Sequence, residues 1–194
     1  MAVKQGWQGR FFEDFEVGDT YRHPLGRTIT ETDNIWFTLL TCNTNMTHFN
    51  ADYAKRANFE QYLVNSALTL SLVSGLSVSD ISENAVANLG WDEVRLPNPV
   101  FVGDTLYAET TVLSKRKSES RPYAGIVNIE TRGFKPDGTT VIEFKRTVMI
   151  YTREGSPACR RRMAARPPHR RRRLRANSRR RHTLVERLGR SSPG

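Results

Sequence analysis

Cysteine is scarce in this sequence, which has two, Cys42 and Cys159, among 194 residues. Two cysteines so far apart give neither a disulfide framework nor the paired spacing of a zinc site. Long apolar runs are also missing, because no stretch approaches the roughly 20 residues that a membrane-spanning helix needs. Residues 1–10 lack the apolar centre of an export signal. We therefore expect a soluble protein of a reducing, cytoplasmic compartment.

Acidic residues are nearly absent from the end of the chain. Positions from 156 onward hold 14 of the 30 basic residues, all of them Arg, and one of the 20 acidic residues, Glu186. Residues 1–155 therefore carry a net charge of about −3, although the whole chain has a formal charge of +10. The basic character belongs to the last segment alone.

This composition predicts one domain over residues 1–155 and a disordered Arg-rich tail over residues 156–194, which has too few apolar residues for a core. Such a tail would bind nucleic acid only non-specifically, through attraction to phosphates. An out-of-frame translation of a GC-rich gene end would give the same composition, and this second origin of the tail stays open.

The periodicity of the first 155 residues predicts a long apolar helix and an antiparallel sheet. The segment Asn65 to Val78 is apolar on nearly every face, and its polar members are small Ser and Thr residues, so we expect a buried helix. Four later segments are rich in β-branched and aromatic residues, as strands are, at 86–96, 104–117, 124–134 and 139–151. A Lys-Pro-Asp-Gly turn joins the last two as a hairpin.

Alternation in the last strand places Ile142, Phe144, Val148 and Ile150 on one face, which Arg146 interrupts. With a short strand near Tyr21, about five strands would surround the long helix. The sequence therefore predicts an α+β fold.

Thr30 predicts the N-terminus of an earlier helix, because Glu31 and Asp33 place negative charge in its first turn. Apolar residues follow at helical spacing until Asn-rich residues near 42–45 favour a turn. There the polar stretch TCNTNMTHFNADYA, residues 41–54, begins. It contains His48, and an imidazole can exchange protons at neutral pH. Taken alone, a His in a turn is also consistent with a solvent-facing or capping residue.

Three motifs resemble the MaoC-like dehydratases, also called (R)-specific enoyl-CoA hydratases. Residues Cys42 to His48 occupy the place of the family's Gly-Asp-x-Asn-Pro-Ile/Leu-His motif, with Met46 where the family has Pro, and Asn65-Ser66 stands where a His-Gly pair is usual. Residues Asn98 to Leu106 match its Pro-Val-x-x-Gly-Asp-Thr-Leu turn. The stretch Asn88 to Arg95 and the Asn43 variant resemble the itaconyl-CoA and mesaconyl-CoA hydratase branch.

The resemblance implies a hot-dog fold, in which an antiparallel sheet wraps around a long central helix, and a homodimer or higher homo-oligomer. It also implies an acyl-CoA hydratase or dehydratase that acts on a 2-enoyl-CoA, including C5-dicarboxylyl thioesters such as itaconyl- or mesaconyl-CoA. No cofactor is implied, since the coenzyme A thioester is itself the substrate.

The resemblance also assigns roles to individual residues. His48 would transfer protons, with Asn43 as its catalytic partner, and Asn45 would help to place water or the thioester. The backbone N–H near Ser66 would stabilise the enolate oxygen, because helix N-termini present free donors. Ser74 would contact the substrate, and Arg95 would pair with its free carboxylate.

One departure from the family leaves the function open. Asn43 stands where the family has a catalytic Asp, and an amide cannot accept a proton at a useful pH. His48 then acts alone while Asn43 orients water, or the activity is lost and the chain is a non-catalytic acyl-CoA binding protein. A hot-dog acyl-CoA thioesterase is a further alternative.

Overall fold

The computed structural model describes residues 2–4 and 6–157, so the predicted tail lies outside it except for positions 156 and 157. Two short strands come first, β1 (Thr20–Arg22) and β2 (Arg27–Thr28). Three helices follow: α1 (Glu31–Leu40), α2 (Ala51–Arg56) and α3 (Ser66–Leu76). Four long strands complete the order: β3 (Ala85–Arg95), β4 (Thr105–Lys117), β5 (Ala124–Phe134) and β6 (Thr140–Tyr151).

These strands form one antiparallel sheet in the order β1-β4-β5-β6-β3, with β2 also paired to β4. The four long strands are confirmed to within one residue of their predicted ends. The predicted hairpin between β5 and β6 is confirmed as well, since Gly138, at φ 88°, donates its N–H to the Lys135 carbonyl at 2.9 Å. β3 lies at an open edge and pairs only with β6 within the described residues.

The sheet curves around α3, which buries Leu68, Val73 and Leu76 against strand residues such as Leu106 and Phe144. The expectation that α3 is buried on nearly every face is wrong, because Ala67, Ser71 and Gly75 face outward. Their side chains are small and uncharged, so no solvent-exposed face was recognisable in the sequence of α3. Among the described helices, none has the length and apolar character needed to cross a membrane.

Helix α1 begins at the predicted cap, where the Thr30 hydroxyl accepts the Asp33 N–H at 3.2 Å and Asp33 bonds back to the Thr30 N–H at 2.8 Å. Its orientation is unexpected. The apolar residues Trp36 and Leu40 are 65% and 74% exposed, whereas Asn34 and Thr38 are completely buried. The polar face of α1 therefore packs against the domain.

Candidate active site

His48 is carried by a 3₁₀ turn, Met46–His48, that is built by asparagine caps between α1 and α2. The side-chain oxygen of Asn43 accepts the Asn45 N–H at 2.9 Å, and that of Asn45 accepts the Thr47 N–H at 3.2 Å. Asn50 caps α2 in the same way through the Tyr53 N–H. Asn side chains favour such local turns, so the Asn-rich sequence fixes the backbone that presents His48.

The His48 ring is buried, with 7% of the residue exposed, and its Nδ1 lies 2.8 Å from the Leu63 carbonyl oxygen. A carbonyl can only accept, so Nδ1 carries the hydrogen. The neutral ring then has a lone pair on Nε2, which has no hydrogen-bond partner among the described residues. His48 is held in the tautomer that a general base requires.

Asn34 joins the His48 turn to the segment that precedes α3. Its side-chain NH₂ donates to the carbonyls of His48 at 2.9 Å and Leu63 at 3.1 Å. Its side-chain oxygen accepts the Asn65 N–H at 2.9 Å. The Leu63 carbonyl oxygen therefore accepts hydrogen bonds from both the His48 ring and the Asn34 side chain. Asn34 thereby holds in place the carbonyl that orients the His48 ring.

Thr38 extends this network one turn further along α1, since its hydroxyl accepts a hydrogen bond from the Asn65 side chain at 3.2 Å. Sequence reasoning missed both Asn34 and Thr38. The available signal was their i, i+4 spacing, which places two polar residues on one face of α1. We term Asn34, Thr38 and Asn65 the amide clamp.

Asn65 also caps α3 by accepting the Ala67 N–H at 3.0 Å. Its neighbour Ser66 is the first helical residue, and the Ser66 N–H has no hydrogen-bond partner among the described residues. Such an N–H is one of the free donors at the positive end of the helix dipole. The predicted oxyanion donor therefore begins the same helix whose cap is tied, through Asn34, to the His48 turn.

The other predicted site residues differ in their surroundings. Asn43 is half-buried and Asn45 is exposed, and both use their side-chain oxygens in the turn that carries His48. The Ser74 hydroxyl oxygen is buried on α3 and has no hydrogen-bond partner in the part of the chain that the structure describes. Arg95 ends the edge strand β3 in an exposed position opposite Glu143, and no described hydrogen bond or ion pair joins it to the His48 turn.

A second buried histidine, His23, provides a useful contrast. Its Nδ1 lies 3.0 Å from Asp80 and its Nε2 lies 2.9 Å from the Thr110 hydroxyl, so neither nitrogen is free. Burial lowers the pKa of His23 even though Asp80 opposes the shift. Burial raises the pKa of Asp80, but hydrogen bonds from His23 and Arg10 outweigh it and bring the pKa below its usual value. Because both ring nitrogens of His23 have partners inside the domain, its contacts suit a structural role and not proton exchange with a substrate.

Within the described residues, no group of three His, Cys, Asp or Glu side chains is arranged to hold a metal ion. An apolar groove of about 370 Å³ runs along α3, between Leu68, Leu72 and Leu76 and the loop at Leu25 to Arg27. A wider, open cavity of about 700 Å³ lies near His23, Arg22 and Arg132.

Comparison with known proteins agrees with this geometry. The family model for mesaconyl-CoA hydratase matches residues 3–166. The mesaconyl-CoA hydratase of Cereibacter sphaeroides is 37% identical over 146 residues, which are 75% of this chain and 42% of that protein. The crystal structure of a MaoC domain dehydratase from Chloroflexus aurantiacus superposes with a TM-score of 0.73 at 33% identity, covering 79% of this chain and 43% of that one.

A Mycobacterium tuberculosis protein described as a double hotdog fold superposes with a TM-score of 0.69 at 21% identity, covering 75% of this chain and 45% of that one. The sheet wrapped around α3 is therefore a hot-dog fold, as predicted. The chain spans less than half the length of these relatives.

Proposed function

This chain belongs to the mesaconyl-CoA hydratase family of MaoC-like dehydratases, and on that premise we propose that it adds water to, or removes water from, a 2-enoyl-CoA. The observation that carries the proposal is the buried His48 ring, whose Nδ1 is committed to the Leu63 carbonyl and whose Nε2 is available. The proposed substrate is a C5-dicarboxylyl thioester such as mesaconyl- or itaconyl-CoA, since the Cereibacter sphaeroides relative is a mesaconyl-CoA hydratase.

In the hydration direction, His48 Nε2 takes a proton from water while the water oxygen bonds to C3 of the enoyl group. The electrons of the double bond move to the thioester oxygen, where the Ser66 N–H stabilises the enolate. The imidazolium then returns its proton to C2, which restores the carbonyl. No oxidant or cofactor is required, because the atoms of one water molecule end on two adjacent carbons.

Asn43 replaces the family's catalytic Asp, and its oxygen is already bonded to the Asn45 N–H. The part of the side chain that remains for other contacts is the NH₂ group, which can donate but not accept. Asn43 would therefore donate to the water oxygen or to the thioester. A neutral amide also avoids repulsion of a substrate that carries its own carboxylate.

The same substitution supports a second candidate function, a non-catalytic acyl-CoA binding protein. The two candidates differ in turnover, and a thioesterase would differ from both in the product. When the 194-residue chain is mixed with crotonyl-, mesaconyl- or itaconyl-CoA, the ultraviolet absorbance of the conjugated thioester should fall without release of free thiol. Thiol release would indicate a thioesterase, and binding without either change would indicate the non-catalytic protein.

We further propose that the chain forms a homodimer or a higher homo-oligomer in which the open edge of β3 is covered. The edge carries the exposed apolar residues Leu89, Trp91 and Val94, and an exposed apolar edge strand favours pairing with another chain. The small outward residues of α3 would let a second hot-dog unit approach closely. A monomer mass by sedimentation at micromolar concentration would contradict this proposal.

A further inference from the structure

Arg146 lies inside the domain, in the middle of β6. It is 5% exposed, and the neighbours that share its face of the strand, Phe144 and Val148, are buried as well. Its partner on β5 is the buried Ile129, and its partner on the edge strand β3 is Trp91, which is 46% exposed. A charged side chain therefore stands where strand alternation demands an apolar one.

This guanidinium has no counter-ion within the described residues. Its one described hydrogen bond is donated to the Ser77 hydroxyl at 3.2 Å, and its Nε is buried without a partner. Burial lowers the pKa of Arg146 to about 10, so the side chain is still cationic at neutral pH. A buried unpaired charge is strongly unfavourable, and native proteins almost always neutralise it.

A second orphan group lies on α3, one helical turn before Ser77. The Ser77 hydroxyl donates to the Ser74 carbonyl at 2.7 Å, which leaves its oxygen free to accept from Arg146. The Ser74 hydroxyl oxygen is buried and has no hydrogen-bond partner among residues 2–4 and 6–157. Arg146 and Ser74 thus each have an unused donor, and a carboxylate has two oxygens that can accept from both.

Ser74 lies eight residues after Ser66 on α3, which is about 12 Å along the helix axis. Both residues belong to the same helix. A substrate whose carbonyl is held at the start of α3 and whose acyl part contacts Ser74 would therefore extend along α3.

We propose that Arg146, together with Ser74 and the supporting hydroxyl of Ser77, binds the free carboxylate of a dicarboxylyl thioester. The inference rests on the proposed function for the identity of the thioester. It assigns to a buried arginine the role that the sequence suggested for Arg95, which is exposed at the end of β3. The carboxylate would neutralise the guanidinium, and a substrate with a methyl group in its place would leave the charge unpaired.

The test compares two unreactive saturated thioesters of equal chain length. Succinyl-CoA ends in a carboxylate, and butyryl-CoA ends in a methyl group. Binding to the full chain is measured by calorimetry for the wild type, Arg146→Met, Ser74→Ala and the control Arg116→Met, which removes an exposed charge on β4. We expect the wild type to prefer succinyl-CoA by about 100-fold, as a desolvated charge pair provides. Arg146→Met should abolish that preference, Ser74→Ala should reduce it several-fold, and Arg116→Met should leave it unchanged.

A structural role for Arg146 predicts a different pattern. Arg146→Met would then lower the melting temperature and weaken both thioesters equally, whereas our account predicts unchanged or higher thermal stability, because a flexible apolar side chain replaces an unpaired charge. If Arg146→Met does not fold, Ser74→Ala decides alone, and an unchanged preference in that variant overturns the proposal.

The same data separate this inference from the proposed function. Equal affinity of the wild type for the two thioesters overturns the carboxylate site, whatever the turnover. A preference for succinyl-CoA that depends on Arg146, without hydration of any enoyl-CoA, supports the carboxylate site and refutes the hydratase. Failure to bind either thioester also overturns the carboxylate site, whereas the hydratase is overturned only if no enoyl-CoA is hydrated.

Discussion

Replacement of Asn34 by alanine removes the centre of the amide clamp and tests whether α1 holds the His48 turn in place. The side chain is completely buried and makes three hydrogen bonds, to the His48 carbonyl, the Leu63 carbonyl and the Asn65 N–H. The Leu63 carbonyl keeps its bond from the His48 ring, so two backbone groups lose their described side-chain partner. Each buried unsatisfied group costs about 1–3 kcal/mol, and we expect Asn34→Ala to lower the free energy of unfolding by about 2–6 kcal/mol.

The same variant should lower kcat by roughly 10- to 100-fold at a temperature where it is folded, because small displacements of a catalytic group have effects of this size. Urea unfolding at fixed protein concentration measures the first effect, and steady-state hydration measures the second. Asn84→Ala is the matched control, since Asn84 also donates to two carbonyls, those of Gln8 and Arg10, on a different part of the domain. The control should lose stability and keep kcat. Stability of Asn34→Ala within about 0.5 kcal/mol of the wild type would refute the reasoning.

Three further predictions concern the site and its surroundings. Ser66→Pro should keep the fold, because Pro is favoured at the first helical position and Asn65, at ψ 128°, already has the backbone that precedes Pro. It should lower kcat by about 100- to 1000-fold through loss of the enolate donor, whereas Ser66→Ala keeps the N–H and should keep kcat; equal rates for the two variants would exclude this donor. Asn43→Asp should raise KM for mesaconyl-CoA several-fold more than KM for crotonyl-CoA, because two carboxylates repel; equal changes in KM would argue against a dicarboxylyl substrate. The pKa of His23 is lowered in the folded state, so the unfolded chain binds the proton more readily, and the free energy of unfolding should fall as the pH drops below about 6.5. Urea titrations between pH 7 and pH 5 should show that dependence disappear in His23→Gln, and an identical dependence in the variant would mean that another group causes it.

The sequence predicted the long strands and the start of α1 well, because both depend on residues that are close together in the chain. Enrichment in β-branched and aromatic residues marked β3 to β6, and Thr30 with Glu31 and Asp33 marked the start of α1. The orientation of α1 was not predictable in this way. Its exposed Trp36 and Leu40 have the hydrophobic pattern of a core face, and nothing local shows that Asn34 is buried instead.

The site was predicted in part for the same reason. His48 was visible from its motif, but the carbonyl that fixes its tautomer belongs to Leu63, 15 residues later in the chain. Asn34 bonds to Asn65 across 31 residues, and His23 bonds to Asp80 across 57. Arg146 was visible as an interruption of a strand face, whereas its lack of a counter-ion depends on which side chains the sheet and α3 bring around it. Long-range partners of polar groups are set by the tertiary fold, and local patterns do not contain them.

Proton transfer by His48 is tested by the hydration rate of His48→Ala on a 2-enoyl-CoA, compared with the wild type and with His23→Gln, which alters the other described buried histidine. Loss of the general acid and base should lower kcat by about 100- to 10,000-fold without a change in the far-ultraviolet circular dichroism. His23→Gln should keep kcat at a temperature where it is folded. Turnover by His48→Ala within about threefold of the wild-type rate would contradict a role for this imidazole in proton transfer.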